Sequence, residues 1–138
     1  MKEVIVCAAL LVLLLIFPLQ NALELSNEVR INKFSDIVYH STQKARTDGY
    51  FTSANIAELK SNLLAAFPDL TDAEIYINVT TTPKYRLNYF DSRETIYYDV
   101  RIPVRKIIAV PNIFGISSSQ NTYMSVRKGF VLSEVPAP

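Results

Sequence analysis

A single histidine, His40, and a single cysteine, Cys7, are the chain's whole supply of imidazole and thiol. Cys7 lies inside an apolar run, so the polar part of the chain has no thiol. A Cys–His nucleophile pair, a disulfide framework and a cysteine-bearing metal site are excluded together. His40 has only Asp36, four residues earlier, as a neighbour at helical spacing. One imidazole and one carboxylate are too few for a metal site, and His40 reads as a solvated or stacked side chain. The serines stand in no Gly-x-Ser-x-Gly elbow, and the three glycines cannot build a phosphate loop.

The carboxylates fall into two groups. Asp69, Asp72 and Glu74 have the spacing of turn and capping residues, without the alternation and central glycine of a calcium loop. Asp91, Glu94 and Asp99 lie among Arg93, Arg101 and Arg105, as surface ion pairs across strands would. Residues 84–93 interleave Lys84, Arg86 and Arg93 with Tyr85, Tyr89 and Phe90. Such a segment can stack single-stranded nucleic acid, but it is also how an edge strand guards itself with charge, and the second reading is preferred. Asn78-Val-Thr80 is a glycosylation sequon, meaningful only in a host that uses it. No cofactor, metal, nucleic-acid partner or small-molecule substrate is expected, and the chain is read as non-enzymatic.

Those residues must be positioned by a chain of 138 residues with a formal charge of +1. Fourteen basic and thirteen acidic residues are mixed along it, a solvated surface with no steering field. Eight Tyr and seven Phe with no Trp suggest aromatic filling of strands.

Residues 4–19, VIVCAALLVLLLIFPL, carry no charged side chain. At about 1.5 Å per residue they reach about 24 Å, a little short of the roughly 30 Å hydrocarbon core. Gln20, Asn21, Ala22, Leu23 and Leu25 can extend the span into the headgroups, and a thinner bilayer or a snorkelling Lys2 can cover the rest. A cleaved signal peptide is the competing reading. Against it, Glu3 offsets Lys2, and the exit Pro18-Leu19-Gln20-Asn21-Ala22 offers only Ala22 as a small residue. A retained single-pass anchor is expected, with the N-terminus cytoplasmic and the rest extracytoplasmic, although Lys2 against Arg30 and Lys33 leaves the charge rule nearly silent.

Helical periodicity continues past the apolar run through Ala22, Leu25, Val29, Phe34, Ile37, Val38, Ser41 and Ala45, and Asp48-Gly49 should end it. Pro18 should kink this helix or break its ladder locally. Thr52 or Ser53 should cap a second helix over 54–67 with Ile56, Leu59, Leu63 and Phe67 on one face, stopped by Pro68. The Thr71–Glu74 spacing of a capping box predicts no more than a turn, because strand alternation starts at Ile75. Strands are expected over 75–81, 96–105 and 122–132, with a short edge strand around 85–89 and a frayed Pro136-Ala-Pro tail. The predicted organisation is an anchor helix (1–23), an amphipathic stalk helix (24–47) and an extracytoplasmic domain (48–138). The fold class is α+β: a long N-terminal transmembrane-plus-stalk helix packed on a small antiparallel β-sheet domain.

This layout resembles type IV pilin-like proteins, and among them the TadE-type pseudopilins of tight-adherence pilus systems. The residues that carry the likeness are Glu3 ahead of Val4-Ile5-Val6, and the run closing Phe17-Pro18-Leu19. To these add the Arg101-Ile-Pro-Val104 strand, the Val110-Pro-Asn-Ile-Phe-Gly115 loop and the final strand from Thr122 to Arg127. Such proteins carry a basic leader ending in Gly; these residues show none ahead of the helix, which fits a processed chain, one assembled unprocessed, or one that is only pilin-shaped. The resemblance implies a membrane subunit whose partners are copies of itself or other pilin-like subunits, serving an extracellular pilus or a related secretion or conjugation apparatus. It assigns inter-subunit assembly to Glu3 and Pro18, with Glu3 in the place of the acidic residue that pairs with a neighbouring subunit's amine. Two rivals stand beside it: a membrane-anchored extracytoplasmic binding module, and a hydrolase secreted after signal cleavage.

Overall fold

The computed structural model describes all 138 residues. A first helix, α1 (Lys2–Asp48), runs unbroken for 47 residues. Apolar and then amphipathic periodicity sustain it, and Pro18 sits inside it without ending it. The proline withholds one N–H from the ladder, a local loss that a helix of this length absorbs. The expected stop is observed: Gly49 follows at φ +83°, and a Cβ there would lie 2.7 Å from the Lys84 carbonyl oxygen. Only glycine takes that turn and that approach together.

Helix α2 (Ser53–Ala66) begins where Thr52 accepts the Asn55 backbone N–H at 3.1 Å. A one-turn 3-10 helix (Asp72–Glu74) follows. Its capping box closes as the Glu74 carboxylate accepts the Thr71 N–H at 3.0 Å, so the box makes a turn and no more.

Strands β1 (Tyr76–Val79), β2 (Thr95–Arg105) and β3 (Thr122–Leu132) form one antiparallel sheet in the order β1-β2-β3. Tyr76 stands opposite Arg101 and Val79 opposite Tyr98. Ile96, Val100, Ile102 and Val104 are buried along β2, the face that strict alternation assigned to the core. Pro103, a residue normally barred from a central strand, falls beyond the last β1 pairing at Arg101, where no β1 ladder bond is lost. The arrangement is α+β, as expected.

Two compact units divide the chain: Met1–Ile31 with Val104–Tyr123, and Asn32–Pro103 with Met124–Pro138. The core of the second unit gathers Phe34 and Val38 from α1, Leu59, Leu63 and Phe67 from α2's face, then Leu70, Ile75, Val100 and Ile102. A satellite cluster joins Ala45, Phe51 and Ile96. Between α1 and α2, Ser41 donates to the Asn55 side-chain oxygen at 2.7 Å, and the Asn55 amide donates back to the Ser41 carbonyl at 2.9 Å.

One local expectation is corrected. No edge strand forms around 85–89: the segment is a loop with positive φ at Asn88 and Phe90, and its only pairing is a bridge from Arg86 to Pro136. A strand cannot continue through two left-handed residues. The stretch leading into the Pro136-Ala-Pro tail is tied down, whereas the tail residues themselves are exposed. Ser133 N–H donates to the Glu94 carbonyl at 2.9 Å, Glu134 N–H to Arg46 at 3.0 Å, and Arg86 N–H to Val135 at 2.6 Å.

Removing a buried side chain between helix and sheet has a defined cost. Leu63→Ala, at a fully buried position, is expected to destabilise the domain by about 2–5 kcal/mol. Asn55→Ala strands the Ser41 groups and should cost about 1–3 kcal/mol. Urea midpoints of the detergent-solubilised chain measure both, and an unchanged midpoint for Leu63→Ala would mean that α2 is not docked as described.

Candidate functional site

The first third of α1 is the one helical segment long and apolar enough to cross a membrane, and that window buries none of its residues. Val4, Leu10, Leu14, Phe17 and Leu19 are each more than half exposed, so an apolar surface runs the length of the segment. In water such a surface is untenable, which is why an N-terminal helix of this kind fits a membrane anchor. Glu3 lies in its first turn, where a carboxylate is favoured by the unsatisfied N–H groups. Pro18 lies one residue before the end of the apolar run. The two residues assigned to assembly thus bracket the apolar surface from its ends; they do not meet.

The polar residues of the domain are placed differently from their spacing. Asp99 and Arg101 pair along β2, Nε to Oδ1 at 2.8 Å, instead of across strands, and Asp99 is 3% exposed. The Arg101 guanidinium holds the Asp99 carboxyl below the usual carboxylate range, burial opposing it as the smaller effect. Burial raises the neighbouring Tyr97 phenol, helped by the Asp99 charge. Arg101 also lies over the ring of its cross-strand partner Tyr76, 4.9 Å from the centroid. Tyr76, Tyr97 and Arg101 therefore make an aromatic and cationic patch on the open face of the sheet.

Asp91 pairs with Arg93, which covers the Tyr89 ring at 4.2 Å. That pairing holds the Asp91 carboxyl low as well. The bases and aromatics of 84–93 thus engage one another within the loop. His40 is exposed and lies edge-on to Tyr39, with ring centroids 6.0 Å apart. Lys60 pairs with Asp72 at 3.0 Å, and Glu74 caps the short turn. No group of three or more His, Cys, Asp or Glu is gathered where it could hold a metal ion. Asn78, the sequon residue, is exposed on strand β1.

Two structural residues escaped sequence reasoning. Glu94, expected in a surface ion pair, is 1% exposed and accepts the backbone N–H groups of Tyr89 and Phe90. It thereby clamps the left-handed turn at 88–90, and nothing local in the sequence signals positive φ there. Asn121 is also buried, accepting the N–H groups of Ile107 and Ile108 at 2.9 and 2.8 Å. Its place before a strand and after a Ser-rich turn was the available signal.

Comparison with protein-family models, with curated proteins and with solved structures finds nothing that matches this chain.

Two outcomes test these clusters. Because the folded Asp99 carboxyl titrates below its unfolded value near 3.9, its pairing contributes stability above that pH and loses it as pH falls through the lowered value. Asp99→Asn is expected to flatten the acid limb of a stability–pH curve; an unaltered limb would move the effect to other carboxylates. Glu94→Ala should release the turn, raising amide exchange at Tyr89 and Phe90 at least tenfold, by loss of a charge-assisted pair worth about 1.5–3 kcal/mol.

Proposed function

We propose that this chain is a non-enzymatic, pilin-like membrane subunit that contributes to assembly of an extracellular pilus or a related secretion or conjugation apparatus. Its N-terminus lies in the cytoplasm, α1 is retained as the anchor, and the domain faces outward. The observation that carries the reading is the division of labour along one helix. Phe34, Val38, Ser41, Thr42 and Ala45 are buried in the domain, whereas residues 4–19 expose apolar side chains. An anchor alone needs only that span. Here the same helix also supplies Phe34 and Val38 to the domain core, which an anchor does not require.

Lateral packing of α1 against copies of itself or other pilin-like subunits supplies the mechanism. Apolar side chains give no preference for register within a bilayer, since lipid tails are equally apolar. Glu3 supplies one. A carboxylate at the bilayer edge is costly when unpartnered, and a cationic group such as a neighbour's terminal amine lowers that cost. Pro18 withholds one helical hydrogen bond near the outer end of the run, giving α1 a place to bend as subunits pack.

A membrane-anchored binding module is the second reading, favoured by the Tyr76–Tyr97–Arg101 patch. It predicts activity when the domain is grafted onto a foreign anchor, whereas an assembly subunit requires its own helix.

Shearing cells that carry a C-terminally tagged copy, then blotting sheared material and membranes, separates these. Tagged chain in the sheared fraction, lost in Glu3→Ala, is the expected result. Chain confined to membranes in both would favour the binding module, and chain released into the medium would remove the retained anchor.

A further inference from the structure

The connection between β2 and β3 is unlike a water-exposed loop. Of the ten residues 107–116, Ile-Ile-Ala-Val-Pro-Asn-Ile-Phe-Gly-Ile, only Asn112 has a polar side chain. Loops in water are ordinarily polar, because their backbone and side chains both face solvent. Here Ile113 is 57% and Phe114 62% exposed, at the tip of a one-turn 3-10 helix (Pro111–Phe114). Four polar residues, 117–120, follow and close a turn in which Gln120 accepts the Ser117 N–H at 3.1 Å.

Hydrogen bonds place this segment along α1. The Asn27 amide donates to the Lys106 carbonyl at 3.2 Å. Gln20 grips the next stretch twice, donating to the Ile107 carbonyl at 3.0 Å and accepting the Ala109 N–H at 3.0 Å. The chain thus descends from the level of residue 27 to that of residue 20, about 10 Å of helix toward the apolar span. Pro111 continues to Leu19, the last residue of the apolar run, with which it lines a common cavity of about 590 Å³. Leu23 and Ile108 line it too, with the basic Arg105 and Lys106, and no carboxylate does.

We propose that residues 107–116 are a second membrane contact. The loop tip at Ile113 and Phe114 enters the interface of the leaflet from which α1 emerges. The cavity behind it takes an anionic phospholipid, its acyl chain along Leu19, Leu23 and Ile108 and its phosphate toward Arg105 and Lys106. Two features favour lipid as the occupant. The apolar surface is continuous in level with the end of the membrane span, and the charge bordering the cavity is purely basic. The polar turn at 117–120 then returns the chain to water. This inference needs α1 as a bilayer anchor, but it does not need the filament reading.

The chain contains no tryptophan, so Phe114→Trp installs a single fluorescent reporter at an exposed position that folding does not need. The full chain is reconstituted into vesicles of phosphatidylcholine and phosphatidylglycerol, with Tyr97→Trp on the open sheet face as control. The expected result is that brominated lipid quenches the indole at 114 and leaves aqueous iodide ineffective there, with the reverse at 97. Adding Lys106→Gln should lower the preference for brominated phosphatidylglycerol over phosphatidylcholine about fivefold, the scale of one basic residue at an anionic surface. An indole at 114 quenched by iodide overturns the proposal. So does one shielded from both quenchers, which would assign the loop to a second copy of the chain. An unchanged lipid preference in Lys106→Gln overturns the phosphate site. Carbonate extraction of the same vesicles reads the anchor separately: release of the chain would remove anchor and loop contact together, and a failed shear assay would leave both standing.

Discussion

Burial of one face of α1 is the constraint on which the domain depends. Phe34, Val38 and Ala45 lie on that face, and Ser41 and Thr42 are buried with them. Without this face, α2 would have nothing to pack against except a three-stranded sheet too small to make a core by itself. Leu59 and Leu63 join Val100 and Ile102 in the same cluster, so each layer completes the others. The helix that provides the face is also apolar on every side at its beginning. Its amphipathic stretch starts where its uniformly apolar stretch ends.

Small domains have little apolar area, and here buried polar groups complete what the sheet leaves open. The Asn55–Ser41 exchange joins the two helices, Glu94 holds the 88–90 turn, and Asn121 holds the start of the 107–116 loop. Ser133 does the same for the C-terminal segment, donating to the Lys84 carbonyl at 2.7 Å. Each such bond adds only about 1 kcal/mol net, but each would cost more if one partner were removed and the other left dry. Their effect is to specify loop paths. Residues 84–93 and 133–136, which belong to no strand, are held by side-chain and backbone bonds that no repeating pattern supplies.

The surfaces left over are of two kinds, and they ask for different environments. The apolar side of residues 4–19 calls for lipid or other apolar helices. The Tyr76–Tyr97–Arg101 patch is aromatic, charged and suited to water. Asp99 and Asp91 are both shifted downward, each by the arginine two residues along its own chain, which is the signature of ion pairing.

What the sequence determined by itself is what repeats locally. Sixteen uncharged apolar residues specify, by composition, an apolar helix long enough to fit a membrane anchor. Thr52 and the Leu59–Leu63–Phe67 spacing specify α2, and Ile96 to Val104 specify β2 and the face it buries. Each of these signals is a short period read within a few turns or pleats. Tertiary structure alone decided the loop at 84–93, the tethering of residues 133–135 and the burial of Glu94 and Asp99. Those outcomes depend on backbone φ at single residues and on hydrogen bonds between segments such as Arg46 and Glu134, 88 positions apart. Spacing showed charges that could pair. Only folding determined that Asp99 takes Arg101 beside it and that Glu94 takes two backbone amides, because partner choice follows from which groups are dehydrated together.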